Sequence, residues 1–337
     1  MKTMFKLLGI IAIAAVIGFS MLSCRTPAEE GDGTLPVPVL PPITGIPTGD
    51  RNPKAPSSIT TNAADIPNLP AAILDRDDVT PMTDTFLKEM YDKFNSEFQE
   101  MLSLSRGARF NRNTVYSRAF VNPSAVNVSE IVTLKQLMEL LPEDILSEIF
   151  GESFNISNVT LNGHVRYAVS AASADDYPLH ALADTRFFIS TPGTFDTDRT
   201  AGVIGEVAGV GEGNIHILDL DRISGSLAAS ASFAVNVLYP IYDYDDDYWQ
   251  DVEDAYIGSM WVKLIGSASI SSNFTSTGTS SISASLNIKA FGENDAEIGA
   301  LDLTGTVSMT GDNVSITITG SILGDPINET VNIVIED

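Results

Sequence analysis

Leu301-Asp302-Leu303-Thr304-Gly305-Thr306-Val307-Ser308-Met309-Thr310 is followed by Gly311-Asp312 and then by Asn313-Val314-Ser315-Ile316-Thr317-Ile318-Thr319-Gly320-Ser321-Ile322. Apolar and polar residues alternate on both sides of two turn residues. A period of two sends successive side chains to opposite faces of a strand, so each run has one apolar and one wet face. A turn at Gly311-Asp312 sets Met309 opposite Val314, Val307 opposite Ile316, Gly305 opposite Ile318 and Leu303 opposite Gly320, all on one face. The run before it alternates Ile282, Ala284, Leu286, Ile288 and Ala290 with Ser283, Ser285, Asn287 and Lys289. A turn at Asn294-Asp295 brings Ala290 opposite Gly299, Ile288 opposite Leu301 and Leu286 opposite Leu303. A one-residue slip in either hairpin would drive Asp302 or Lys289 into the apolar side, and burying an unpaired charge forbids it.

The period of two extends upstream. Leu227, Ala229, Ala231, Phe233, Val235 and Val237 mark a long strand over 223–239, and Val262, Leu264, Gly266, Ala268 and Ile270 mark another over 260–274. Weaker strands are predicted at 159–171, 186–190, 202–208, 215–220 and 331–335. The result is a mainly β, α+β chain whose antiparallel meander of nine or ten long strands forms a curled sheet, half-barrel or sandwich.

Two or three amphipathic helices precede the sheet and pack on it. Between Met82 and Gly107, Phe86, Leu87, Met90, Tyr91, Phe94, Phe98, Met101 and Leu102 recur at spacings of three and four, which predicts one long helix. Thr133 and Gln136 form a capping box ahead of Leu134, Leu137, Met138, Leu140 and Leu141, and Pro142 opens a short further helix stopped by Gly151. Residues 81–152 thus read as a helical segment and 153–337 as the β domain, together one folded unit. Arg106, Arg109, Arg112 and Arg118 are the one basic cluster and are suited to pairing with surface carboxylates.

From Arg25 to about Thr80 the chain is rich in proline, as in Leu35-Pro36-Val37-Pro38-Val39-Leu40-Pro41-Pro42. Proline removes backbone donors and fixes φ, so residues 24–80 read as an extended, disordered tether, which fully drawn out would reach roughly 170 Å. Ahead of it, Lys2 and Lys6 precede an uncharged, mostly apolar run from Leu7 to Ser23, a secretory signal over residues 1–23 too short to span a bilayer as a helix. Cys24, the single cysteine, closes that segment, so no disulfide can form within the chain.

Met21-Leu22-Ser23-Cys24 resembles the lipobox of bacterial lipoproteins, with Met21 where Leu is usual, as in the relaxed lipoboxes of spirochaetes. The resemblance covers the first 24 residues. It implies cleavage before Cys24, acylation of Cys24 (palmitate among the chains) and firm attachment of the protein to the membrane through that lipid. It also implies an outer-membrane place in the cell envelope, because Arg25 follows the anchor where Asp would favour the inner membrane.

Loss of Lys2 and Lys6 with the signal leaves 17 basic and 44 acidic residues, a net charge of −27. Such a body is repelled by polyanions, which excludes nucleic acid as a default partner and favours cations. The densest polar cluster is Tyr242-Asp243-Tyr244-Asp245-Asp246-Asp247-Tyr248-Trp249-Gln250-Asp251-Val252-Glu253-Asp254, between two long strands. Asp243, Asp245, Asp247, Asp251 and Asp254 stand at the oxygen-ligand spacing of a calcium loop. Tyr248 replaces its glycine and no helices flank it, so a looser Ca²⁺ site, a solvated acidic loop, or a protein contact made by the aromatics of 242–249 are the readings it allows. His164, His180 and His216 fall in separate segments and read as exposed, with nothing in the sequence to pair them for a transition metal. The Gly-rich run 202–213 reads as strand ends and turns rather than a phosphate cradle. No nucleophile elbow or zinc-protease motif occurs. The sequence points to a lipid-anchored, non-enzymatic binding or structural module. A carrier for an apolar ligand or lipid inside the curled sheet, and a hydrolase of envelope polymers working through the acidic loop, are the alternatives.

Overall fold

The computed structural model describes residues 35, 37–92, 109–111, 126–139, 159–172, 178–196, 201–219, 222–242, 256–275, 279–310 and 313–336. The strands are β1 (Val79–Pro81), β2 (Arg109–Asn111), β3 (Val126–Thr133), β4 (Thr160–Ala171), β5 (Leu179–Asp196), β6 (Ala201–Asp219), β7 (Arg222–Tyr242), β8 (Tyr256–Thr275), β9 (Thr279–Phe291), β10 (Glu297–Thr310), β11 (Asn313–Ile322) and β12 (Asp325–Glu336). From β3 to β12 they form an antiparallel meander in which every strand pairs with its neighbours in sequence. β2 adds in parallel to β12, and β1 runs parallel beside the start of β8. The two ends of this path, β2 and β3, are not paired with each other, so the sheet stays open and does not close into a barrel.

Both C-terminal hairpins have the register their alternation demands. Met309 faces Val314, Gly305 faces Ile318 and Leu303 faces Gly320, while Ala290 faces Gly299 and Ile288 faces Leu301. The turn into β10 places Asn294 and Asp295 at φ 57° and 56°, a region that Asn and Asp tolerate better than most residues. The two weak strands predicted at 202–208 and 215–220 are one strand, β6. Its glycines are interior positions rather than ends. A Cβ on Gly209 would lie 2.0 Å from the Phe187 ring, and one on Gly205, at φ 145°, would lie 2.2 Å from the Ala234 carbonyl. Those glycines let neighbouring strands and an aromatic ring approach closely.

Residues 37–78, read from their prolines as a disordered tether, instead lie across the sheet as a strap. Ile46, Ile59, Ile66, Leu69 and Ile73 are all buried. Ile59 and Ile66 pack with Ala208, Ala234, Phe188 and Ile265, and Leu69, Ile73 and Val79 pack with Leu238, Ile204 and Trp261. Proline does not oppose this packing. It gives up a donor that an irregular strap would struggle to satisfy and lowers the entropy lost on ordering. Residues 24–34 and Pro36, the rest of that predicted tether, lie outside the described residues, as does the signal at 1–23.

The chain then passes from one face of the sheet to the other along β8. After β1, the Met82 amide donates to the Trp261 carbonyl at 2.8 Å. Residues 84–92 are helical on the far face, where Met82, Phe86 and Leu87 pack with Val262, Ala290, Leu264 and Ile298. The Phe86 amide donates to Thr83 Oγ1 at 3.2 Å, the predicted start of that helix. The second helix, Leu134–Glu139, opens with the predicted box: the Gln136 amide donates to Thr133 Oγ1 (3.2 Å) and the Thr133 amide to Gln136 Oε1 (2.9 Å). The remainder of both predicted helices lies outside the described residues.

Candidate functional site

The face that carries the strap is the one on which the register places even-numbered residues of β4 to β7 and odd-numbered residues of β8. The strap is tied to it by polar contacts as well as apolar ones. Ser129 Oγ donates to the Val39 carbonyl at 3.0 Å and Arg166 Nη1 to the Pro41 carbonyl at 3.1 Å. Lys54 forms an ion pair with Glu206 and sits 5.7 Å from the centre of the Phe188 ring. Asn236 Nδ2 donates to the Pro67 carbonyl at 3.2 Å. Arg166 in turn pairs with Asp184 on the next strand, and this carboxylate raises the guanidinium pKa above its ordinary value. Where the strap begins, Val37, Pro38, Val39, Val128, Ser129, Ala168, Val169 and Ser170 line a cleft of about 280 Å³.

The crossing at β8 is the most heavily bonded point. Arg76 Nε and Nη2 donate to the two carboxylate oxygens of Asp78 at 2.9 and 2.7 Å, and Tyr256 Oη donates to Oδ2 at 2.9 Å. The Asp78 carbonyl accepts from the Ser259 amide at 2.8 Å. The Arg76 guanidinium, helped by Tyr256, holds the Asp78 carboxyl down at about 2. Next to it, Lys263, whose side chain is 4% exposed, reaches the turn into β10 and donates to Asp295 Oδ1 at 2.8 Å.

The three histidines are placed differently from their reading as exposed residues. His164 does stand on the wet-patterned side of β4, but the strap covers that side and leaves it 0% exposed. Its Nδ1 lies 2.8 Å from the Asp50 carbonyl, the Gly163 amide donates to Asp50 Oδ1 at 3.2 Å, and His164 Nε2 is buried with no hydrogen-bond partner among the described residues. His180 and His216 are half-buried and directly opposite each other on β5 and β6, with ring centres 3.8 Å apart and planes at 70°. Burial, and then the neighbouring His216, lower the pKa of His180. Only the register of two long strands brings these two together, and a prediction that split β6 in two could not find them.

The acidic loop joins β7 to β8 as read, with Tyr242 opposite Tyr256 at its base. Asp243, Asp245, Asp247, Asp251 and Asp254, and the Tyr244-to-Trp249 contact surface, lie outside the described residues, as does Cys24. Of the arginine cluster only Arg109, in β2, is described. Among the described residues no group of three or more His, Cys, Asp or Glu converges as a metal cluster, and no helix is long and apolar enough to cross a membrane. No family model, no curated protein and no solved structure matches this chain.

Proposed function

We propose that the protein is a lipid-anchored component of a bacterial cell envelope, held at the outer membrane through Cys24, whose open sheet works as a non-enzymatic binding or structural module. The observation that carries this reading is the juxtaposition of Cys24 with the strap. Only 12 residues separate the acylated position from Val37, the start of the strap. At no more than about 3.6 Å per residue, they allow roughly 45 Å between anchor and body. The sheet is thereby kept near the bilayer, with a net charge of −27 that opposes direct contact with anionic lipid. Metabolic labelling with an alkyne analogue of palmitate, followed by fractionation of membranes, tests the anchor. The wild-type chain should carry label and sediment with the outer membrane, and Cys24→Ser should lose both. Unlabelled protein, or a Cys24→Ser variant that still sediments with membranes, would overturn it.

A second reading, carriage of an apolar ligand, draws support from the face opposite the strap on β9–β11. Val307, Met309, Val314, Ile316 and Ile318 are only half-buried, Ile282 is 41% exposed, and a Cβ on Gly305 would meet no atom within 4 Å. Solvent extraction of purified Cys24→Ser protein and mass spectrometry should recover a co-purified lipid if this face is loaded. A clean extract rejects it.

A further inference from the structure

We propose that His180 and His216 form a two-imidazole site for a divalent transition-metal ion, Zn²⁺ or a neighbour in its chemistry, on the strap face of the sheet. Residues opposite each other on paired antiparallel strands keep their Cβ atoms about 5 Å apart. By turning out of their edge-to-face contact, the two rings can bring a nitrogen each to one ion at about 2.0–2.1 Å, and water or a further ligand fills the open positions. The strands that present them are long and continuous, and β6 is paired on both sides through this position, with His216 between His180 and Ser224. The scaffold is thus fixed before any ion arrives, which removes much of the ordering cost of binding.

Neither ring makes a hydrogen bond within the described residues; the contact between them is edge to face. Their lone pairs are therefore not committed to another described residue. A metal needs the neutral imidazole, the form an unprotonated histidine offers to an ion. The described neighbours on the same face are Ser170 beside His180, Ser224 beside His216, and Leu182 and Asn214 along the strands. Asp219, the register partner of Arg222 at the nearby ends of β6 and β7, stands three residues along from His216, and Asp184 and Glu212 stand four residues along β5 and β6 in the other direction. Both ligands are imidazole nitrogens, so the pair favours metals that take nitrogen over Ca²⁺ or Mg²⁺. Ser170 also lines the cleft where the strap begins, which puts the site at the end of the body closest along the chain to Cys24.

The test is calorimetric titration of Zn²⁺ into the full mature chain in detergent, with His180→Gln and His216→Gln alongside, all in excess Ca²⁺ to occupy carboxylate sites. The wild type should bind one equivalent that Ca²⁺ does not displace. Each variant should weaken that equivalent by roughly 100-fold, because loss of either imidazole removes the chelate. Unchanged melting of both variants without metal separates loss of ligand from loss of fold. Zinc binding of equal strength in the wild type and both variants, or no saturable binding in the wild type, overturns the proposal.

Discussion

Strands β5–β8 and strands β9–β12 follow one antiparallel meander and share one sheet, but they are buried differently. In β7 and β8, Phe233-Ala234-Val235-Asn236-Val237-Leu238 and Met260-Trp261-Val262-Lys263-Leu264-Ile265 are apolar at almost every position. Those stretches are covered on one side by the strap and on the other by the helix at 84–92, Met82 and their own strand neighbours. In β9 and β10, over 281–289 and 301–310, the alternation is strict and the polar side faces water. A strand with both faces covered cannot alternate, and a strand with one wet face must. The composition of a strand therefore records what lies over it, and the stability of the body is expected to concentrate where both faces are covered.

The largest effect should come from opening the covered half. Leu238 is 2% exposed and holds the strap residues Leu69 and Ile73. Leu238→Ala should cost about 2–4 kcal/mol, and Leu69→Ala a similar amount, read from urea midpoints. Ile316→Ala, from the half-buried face of β11, should cost only roughly 1 kcal/mol. Equal losses at the two places would remove the distinction. Limited proteolysis should show the two strap-side variants cut between residues 37 and 78 before the sheet is attacked.

A second comparison sets two glycines of one hairpin against each other. Gly320 has φ 139°, and a Cβ there would lie 1.9 Å from the Asp302 carbonyl, whereas Gly305 has open space. Gly320→Ala should destabilise by about 1–3 kcal/mol, through strain and a clash that neither backbone can relieve without breaking the pairing. Gly305→Ala should be neutral or stabilise by up to about 1 kcal/mol, since it only restricts the unfolded chain. Thermal melting of the two variants side by side decides it.

The strap can also be loosened by acid at its crossing point. Asp78 titrates at about 2 in the folded chain and near 3.8 when free, so it binds fewer protons folded than unfolded across that interval. Its contribution is complete above pH 4 and disappears as pH falls toward 2. Asp78→Asn should remove that component. The variant is less stable than the wild type at pH 6, and the two urea midpoints converge near pH 2. A gap that stays constant from pH 6 to pH 2 would mean that the Arg76 and Tyr256 contacts contribute nothing through the charge of Asp78.

Much of this could be read from the residues, and the failures share one physical cause. Registers such as Met309–Val314 and Ala290–Gly299 were legible because a single wet face leaves only one alignment. The Thr133–Gln136 cap was legible because it is local. The strap was missed because Pro38, Pro41, Pro42, Pro47 and Pro53 dominate its composition, while its buried residues, from Ile46 to Ile73, follow no period. Its signal lay elsewhere, in the two-sided apolar run at 233–238, which requires a cover that the alternating hairpins cannot supply. His164 followed the strap into burial. The His180–His216 pair was invisible for a different reason: it depends on 35 residues of intervening chain keeping one register through a glycine-rich stretch that reads as turns.

The smallest effect should come from the wet side of the C-terminal strands, and it tests the other half of the comparison. That side is a nearly uncharged ladder in which Ser269 and Ser285 hydroxyls meet at 2.7 Å and Thr317 and Thr330 hydroxyls at 3.2 Å. Thr306, at its centre on β10, is exposed and pairs across to Thr317 and Ser283. A lysine there needs no desolvation and gives up only β-propensity, so Thr306→Lys should change the urea midpoint by an amount within about 0.5 kcal/mol. A loss well above that, in a chain whose −25 net charge should welcome a cation, would require something to lie over the ladder in solution. The C-terminal strands would then be covered on their polar side as β5–β8 are on theirs, by a cover selected for hydrogen bonding rather than for apolar contact.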